Sequence, residues 1–458
     1  MNHPLLLLRQ RRFLPLFITQ FFGALNDNVI KNAMIVLLTF QAGRWTTLSP
    51  GVLANVAAGV FILPFFLLSA SAGQLADTYD KAMITRWVKG FELVIVIIAG
   101  VGFWLHQLPV LLLALFLLGL HSTIFGPIKY AILPQHLAAS ELMGGNALIE
   151  TGTFVAILLG SLLGGLLASV PDATLWISVT GGVIALIGYV AARAIPPAPP
   201  VAGDPVVTVF SVPSVAHSVG AVLPAPTFRI SRNPLAETWR NLAYARKNRP
   251  AFAALLGISW FWLYGAIFLV HIPLYAKEIL HGDETSVTLL LVAFILGIGA
   301  GSMLCEWLIR HRRARVGWLI FAGGIGLSLC ALDLYVASPV LTAASTLPLN
   351  ALALVQQPGM FRVLTDLLGL GLCGGLFTVP LYTLLQQASA PTHRARMIAA
   401  NNIMNALLMV IGALGAGALI AAGVTLPELF ALVALANLVA VAGLNQRYRQ
   451  LAKAGELG

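Results

Sequence analysis

The sequence predicts an all-α membrane protein with 12 transmembrane helices arranged as two six-helix halves. Three observations carry that prediction: an extreme composition, a regular series of long apolar runs, and a lopsided distribution of basic residues. Of 458 residues, 59% are hydrophobic and only 10% are charged. Soluble domains are roughly 45–50% apolar and about 25% charged. A single soluble core would spread the excess over its exterior. Disorder fails for the same reason. The 43 glycines suit membrane helices. The apolar runs are far longer than the alternating strands of a membrane β-barrel.

A spanning helix needs about 20 mostly apolar residues. The first run, 13–40, follows the basic start Arg9, Arg11 and Arg12. It is too long for the h-region of a cleavable leader and lacks a small-residue cleavage site. Runs follow at 52–75, 82–105, 109–133, 144–170 and 174–195. A break at 196–249 opens with Pro196, Pro197, Pro199 and Pro200, which cannot continue a helix. It closes on Asn233-Pro234 and a short amphipathic stretch. There Leu235, Trp239 and Leu242 share one face, with Arg240, Arg246 and Lys247 available to the other. Such a helix is expected on the membrane surface. Six more runs complete the chain: 250–276, 286–309, 316–337, 362–387, 397–423 and 427–446. The organisation is therefore an amino-terminal half (1–195), a linker (196–249) and a carboxyl-terminal half (250–458).

The formal charge of +10 resembles a nucleic-acid signal until the residues are placed. With both termini cytoplasmic, twenty-one of the 27 Lys and Arg fall on the cytoplasmic side, and only Arg44, Lys277 and Arg362 fall outside. Lys31, Lys89 and Lys129 lie within helices. The balance is an orientation signal of the positive-inside kind, and no nucleic-acid partner is expected. Cys305, Cys330 and Cys373 each sit alone in apolar runs and read as small core residues, without metal spacing.

The halves resemble each other. Phe125, Tyr130, Leu133 and Gln135 pair with Phe377, Tyr382, Leu385 and Gln387 at an offset of 252. Asn146, Glu150 and Gly160 pair with Asn401, Asn405 and Gly415 at 255. A repeat relating two six-helix halves is the architecture of the major facilitator superfamily, with substrate held between the halves.

Chemistry-bearing residues concentrate in the amino half. Gly73, Asp77, Asp80, Lys81 and Arg86 form a charged loop between the second and third helices. It resembles the superfamily's loop signature, which gates the cytoplasmic side. Asp77 is suited to cap a helix start and pair with a basic partner. The first helix carries Asn26, Asp27, Asn28 and Lys31 near its middle, where ionisable groups are costly and usually face a cavity. Asp27 and Lys31 could also neutralise each other at i,i+4. Lys129 follows Gly126-Pro127, a local helix break, and suits an anionic phosphate. It could instead pair with Glu150, on the fifth helix with Asn146 and Thr151. Lys89 and Glu92 read as a local i,i+3 pair. The carboxyl half offers Asn401, Asn402 and Asn405, His271, and an aromatic run, Trp260, Phe261, Trp262 and Tyr264, that is either packing or an acyl wall. His271 more often serves such a bundle as a hydrogen-bonded residue. Asp333 and Asp366 have no assigned role.

The asymmetry fits a substrate with one charged end and one apolar end. A zwitterionic headgroup would set its phosphate near Lys129 and its ammonium near Asp27. The segments FFGALNDNV, GQLADTYDK, FGPIKYAILPQHL and GGNALIETGTFVAILLG resemble the lysophospholipid transporter branch of the major facilitator superfamily. The resemblance implies a flippase moving lysophosphatidylethanolamine and lysophosphatidylglycerol from the outer to the inner leaflet of the bacterial inner membrane by alternating access. An acyltransferase partner would restore the second chain. It matches Asp27 and Lys129 to family positions, with Asn28, Asn146 and Glu150. One departure concerns the seventh helix, where the enterobacterial form has an arginine around the position of Leu269; here only His271 is near. The acyltransferase motif, His with Asp five positions on, is missing; His136 with Glu141 comes nearest. No cofactor and no metal are expected, and the chain should act as a monomer. Enzyme chemistry lacks a soluble domain or a nucleophile–base constellation. A channel lacks a ring of polar groups. The alternative is a proton-coupled drug or metabolite transporter of the same fold, with Asp27 or Glu150 titrating.

Overall fold

The computed structural model describes residues 4–40, 50–200, 233–338 and 348–455. Arg44, and Arg229 and Arg232 of the twenty-one basic residues counted as cytoplasmic, lie outside them. Among the described residues, twelve helices are long and apolar enough to cross a membrane. The amino half contributes α1 (Leu14–Phe40), α2 (Pro50–Thr78), α3 (Lys81–Trp104), α4 (Leu108–His136), α5 (Leu142–Ala168) and α6 (Ala173–Arg193). After the linker helix α7 (Pro234–Lys247) come α8 (Arg249–Glu278), α9 (Glu284–Arg312) and α10 (Val316–Ala337). A short α11 (Ala351–Val355) precedes α12 (Met360–Ala388), α13 (Arg394–Ala421) and α14 (Leu426–Lys453). All but α7 and α11 are the spanning set.

Two boundaries differ from the sequence reading. The last helix runs past its apolar stretch to Lys453, because helix continues where the bilayer ends. The expected break at Gly126-Pro127 does not occur: α4 is continuous from Leu108 to His136 with Pro127 and Pro134 inside it. A buried membrane proline forfeits one backbone bond that neighbouring groups can compensate, so the helix survives. Gly126 instead marks a close approach, since a Cβ there would lie 2.7 Å from Asn402 Nδ2 on α13.

Close backbone approach explains the glycine content. Without a hydrophobic force between helices in lipid, small residues let them pack by contact. Gly297 and Gly301 of α9 face Gly371 and Gly375 of α12. A Cβ at Gly301 would meet Leu372 O at 2.0 Å, and one at Gly371 would meet Phe294 O at 2.0 Å. Gly160 and Gly164 of α5 lie on the α1 backbone in the same way, at 2.6 Å from Leu25 O and 2.5 Å from Val29 O. The first lock fastens the carboxyl half and the second the amino half.

The bundle has one basic end, where the loops after α2, α4, α9 and α12 gather with the linker. Arg12 ties it together, donating to His136 O at 2.8 Å and pairing with Glu141 at 2.6 Å. The hydrogen bond from Arg12 holds the Glu141 carboxyl below its ordinary range. His136 itself approaches Pro197 O. His136 and Glu141 are thus structural anchors of this end.

The linker helix docks by the face that carries its polar groups. Thr238, Asn241 and Ala245 are buried. Thr238 donates to Phe66 O at 3.0 Å, Asn241 to Arg396 O at 3.1 Å, and Glu237 accepts from Gln74. Leu235 and Trp239 point away from the protein, and Leu242 is half-buried. This leaves apolar side chains available to lipid, as an interfacial helix requires.

Gly301→Leu should lower stability by about 2 kcal/mol or more, because the new side chain overlaps backbone. Gly165, with nothing within 4 Å, should tolerate the same change. Thermal unfolding of the two variants in detergent checks the contrast.

Candidate functional site

At the basic end the two halves are sealed by the charged loop. Asp77, at the last turn of α2, accepts from the backbone N–H groups of Ala395 (3.0 Å) and Arg396 (3.3 Å), so it caps the start of α13 in the opposite half. Arg396 Nε lies 3.6 Å from the same carboxylate. Gly73 permits the crossing: a Cβ there would stand 2.7 Å from Ala399 Cβ. Asp80 caps α3 through Met83 N–H and accepts from Ala198 N–H at 3.0 Å. Lys81 N–H donates to Ala198 O, and Arg86 donates to Ile195 O at 3.0 Å. Asp77 therefore joins the halves, while Asp80, Lys81 and Arg86 fasten the linker's first residues. Farther along α2 and α13, Gly59 and Gly417 have open space.

Behind the seal, repeat-related residues meet at the seam. Tyr130 of α4 and Tyr382 of α12 stack with ring centroids 4.5 Å apart and planes at 7°. Trp262 donates to Tyr382 Oη at 3.0 Å and stacks on Phe154. Tyr130 donates to Glu150, whose second oxygen is buried without a partner. Asn146, fully buried, donates to Thr383 (3.0 Å) and Gln386 (2.7 Å) across the seam, and Gln386 also donates to Tyr130 O at 3.1 Å. Asn401 is fully buried beside Tyr382, and its amide makes no well-formed hydrogen bond. Asn405 accepts from Ser259 at 2.7 Å within its own half.

The first-helix group lies in the amino half, and Lys129 joins it to this seam through the Tyr130 ring. Asp27 accepts from Ser122 of α4 on one oxygen; the other is buried and unpartnered. Lys31 donates to Asn28 Oδ1 at 3.0 Å and stands 5.3 Å over the Phe61 ring. Lys129 is half-buried, 4.8 Å over the Tyr130 ring. Among the described residues neither the Asp27–Lys31 nor the Lys129–Glu150 ion pair forms: Ser122, Asn28 and Tyr130 take their places. Asp27 is within coulombic reach of both lysines. The arrangement presents two cations and one carboxylate with unused bonding capacity.

Asn26 belongs elsewhere. It donates to Glu92 Oε1 at 2.8 Å; Glu92 pairs with Lys89, and His121 Nε2 lies 3.3 Å away. All four are buried. The Lys89–Glu92 pair was legible from its spacing, but its partners Asn26 and His121 were not, because they come from other helices. His271 turns back on its own helix, with Nδ1 2.7 Å from Ile267 O. Trp260 and Tyr264 are satisfied by Asn437 and Leu327 O inside the bundle, so of the aromatic run Trp262 reaches the seam. Asp333 pairs with Arg362 at the surface end of α10 and α12.

A family model described as Major Facilitator Superfamily matches residues 16–369. The chain belongs to that superfamily. The lysophospholipid transporter LplT of Serratia proteamaculans is 25% identical over 415 residues, covering 88% of each chain. LplT of Cronobacter sakazakii is 26% identical over 417 residues, covering 88% of this chain and 87% of the other. Among solved structures, the Escherichia coli fucose:proton symporter FucP aligns with a TM-score of 0.64 at 14% identity, over 96% of this chain and 99% of that one. A bacterial homologue of the iron transporter ferroportin, in its outward-facing state, aligns with a TM-score of 0.62 at 17% identity, over 95% and 99%. This chain is accordingly a multi-pass membrane transporter of the superfamily, and the relatives it matches are transporters.

The Asp77 cap ties α2 to α13 and so latches one half to the other at the basic end. The charged loop's signature pointed to Asp77 as a capping residue, but only the fold supplies the helix it caps. Removing a helix cap costs about 1 kcal/mol. Asp77→Ala should therefore favour opening of the basic end about fivefold. An Ala395→Cys reporter, buried behind the latch, should react faster with maleimide by that factor in the Asp77→Ala background.

Proposed function

We propose that this transporter moves lysophospholipids, taking the headgroup into the amino half between Asp27, Asn28, Lys31 and Lys129. The observation that carries the reading is the one-sided charge. Two half-buried lysines and an under-bonded aspartate sit in one half, while the facing positions of the other half are neutral. A headgroup phosphate suits Lys129 and Lys31, since lysine binds phosphate as a point charge. An ethanolamine ammonium suits the free oxygen of Asp27. The single acyl chain would leave along the apolar side, past Phe154 and Trp262. The LplT relatives support the same substrate class.

Orientation follows from the basic end, which the positive-inside rule sets in the cytoplasm together with both termini. The bacterial inner membrane is then the location, and the end opposite the Asp77 contact faces outward. Substrate would enter from the outer leaflet. Breaking the Asp77 latch and the Asn146–Gln386 contact would release it toward the inner leaflet by rocking of the halves. On this reading Asn146 and Glu150 serve the seam and are less direct headgroup contacts than the first helix and Lys129. A neighbouring acyltransferase would consume the product.

A second reading, proton-coupled transport of a small metabolite, draws on Glu150, a buried carboxylate hydrogen-bonded to Tyr130 with one oxygen unpartnered.

Uptake of radiolabelled lysophosphatidylethanolamine into proteoliposomes tests the choice. Asp27→Asn and Lys129→Ala should each slow initial uptake about tenfold, the loss expected for one charge-assisted contact. Unchanged rates in both, or an uptake that collapses with the proton gradient and ignores lysolipid competitors, would sink the lipid reading.

A further inference from the structure

The first described residues of the chain lie across a second junction of the two halves at the basic end. Helices α5 and α9 run along each other there. Deeper in the bundle, a Cβ at Gly299 of α9 would stand 3.2 Å from Thr151 Cγ2 of α5. Nearer the basic end, Ala147 of α5 and Cys305 of α9 are fully buried in one apolar cluster. A short 3-10 turn, Pro4–Arg9, closes this junction. A Cβ at Gly144 of α5 would lie 3.3 Å from Pro4 Cβ and 3.6 Å from Glu306 Cγ of α9, so the three elements meet at one point. The turn is anchored unevenly. On the amino half, Phe13 is fully buried, 3.7 Å from where a Gly145 Cβ would stand, and Arg12 pairs with Glu141 and donates to His136 O. On the carboxyl half, a cavity of about 330 Å³ lies beside Pro4, walled by Met303, Trp307 and His311 of α9. Pro4 and Leu7 are buried, whereas Leu5 and Leu6 are exposed together with Arg9 and Arg11. Exposed leucines among basic residues suit the surface of an anionic leaflet.

We propose that Pro4–Arg9 is a strap closing the α5–α9 side of the basic end, as Asp77 closes the α2–α13 side, and that it leaves the Gly144–Glu306 junction before that end opens. Arg12 and Phe13 keep it on the amino half as it does so. Leu5, Leu6, Arg9 and Arg11 give the released strap a place on the leaflet surface. The strap rests on the rocking of the two halves and is independent of what the cleft carries.

Maleimide labelling of the detergent-solubilised protein tests it, in a Cys305→Ser/Cys330→Ser/Cys373→Ser background and without any lipid substrate. The Ala395→Cys reporter reads opening of the basic end from the α13 side. Deletion of residues 2–8 should speed its labelling about fivefold or more, the low end of a coupling between two elements. Leu7→Ser should shift the rate in the same direction, and it decides the matter if the deletion does not fold. An Ala434→Cys reporter, fully buried in α14, should keep its rate in both variants. Pro4→Cys and Glu306→Cys together should be joined by a short bismaleimide in the resting protein. An unchanged Ala395→Cys rate in the folded variants overturns the proposal. Equal acceleration at Ala434→Cys would show general loosening and also overturn it. So would failure of the Pro4→Cys/Glu306→Cys pair to be joined, since the strap would then not reach the carboxyl half.

Discussion

An ionised side chain within a bilayer costs several kcal/mol unless it finds a partner or a water-filled cavity, and this constraint sorts the few charged residues of the transporter. Lys89 and Glu92 satisfy it internally, with Asn26 and His121 closing the network among α1, α3 and α4. They are buried and mutually neutralised, and Asp27 lies within coulombic reach of them. Asp27, Lys31 and Lys129 satisfy it only in part, each leaning on a neutral neighbour. The same cost that makes such residues rare makes the second group informative, because its remaining capacity is directed to something the chain does not provide. In the carboxyl half the buried carboxylate is Asp366, beside Asp333 and Arg362 near the start of α12, while other polar groups close on one another, Asn405 on Ser259 and Asn437 on Ser328.

The two halves meet through a small set of contacts that differ in kind along the membrane normal. Near the basic end they are polar and directional, with Asp77 capping α13, and Asn146 bonded to Gln386 continues them into the seam. At the seam they are aromatic, with Tyr130 on Tyr382, an interaction of about 1 kcal/mol. Interactions of this size suit a structure that must open and close, since several of them hold the seal and none alone prevents its release. The glycine locks within each half have the opposite character. Gly301 on Leu372 and Gly164 on Val29 bring backbones into contact within each half.

Much of the fold was legible because a spanning helix is long, apolar and locally determined. The twelve runs needed no tertiary information, and the repeat offsets already paired Tyr130 with Tyr382, the two rings that stack at the seam. Asp77 was legible as a cap from its residue type within the charged loop, and Lys89 with Glu92 as a pair from their spacing. What the sequence withheld is everything that depends on which helix faces which. The i,i+4 spacing of Asp27 and Lys31 suggested a pair, yet Ser122 from α4 and Asn28 compete for the two groups. Lys129 and Glu150 lie on neighbouring helices, but Tyr130 takes the carboxylate. Pro127 suggested a break where packing keeps α4 whole. The amphipathic pattern of α7 gave two faces without saying which one docks, and the polar one does because Phe66 O and Arg396 O offer it hydrogen bonds.

The central claim is that a single charged end of the substrate is read by the amino half alone. A cryo-EM structure of the transporter with bound lysophosphatidylethanolamine tests it most directly. The account predicts the phosphate within hydrogen-bond distance of Lys129 or Lys31 and the ammonium beside Asp27, with the acyl chain toward Phe154 and Trp262. A headgroup seated against His271 and Asn405, with the amino-half cluster unoccupied, would contradict it.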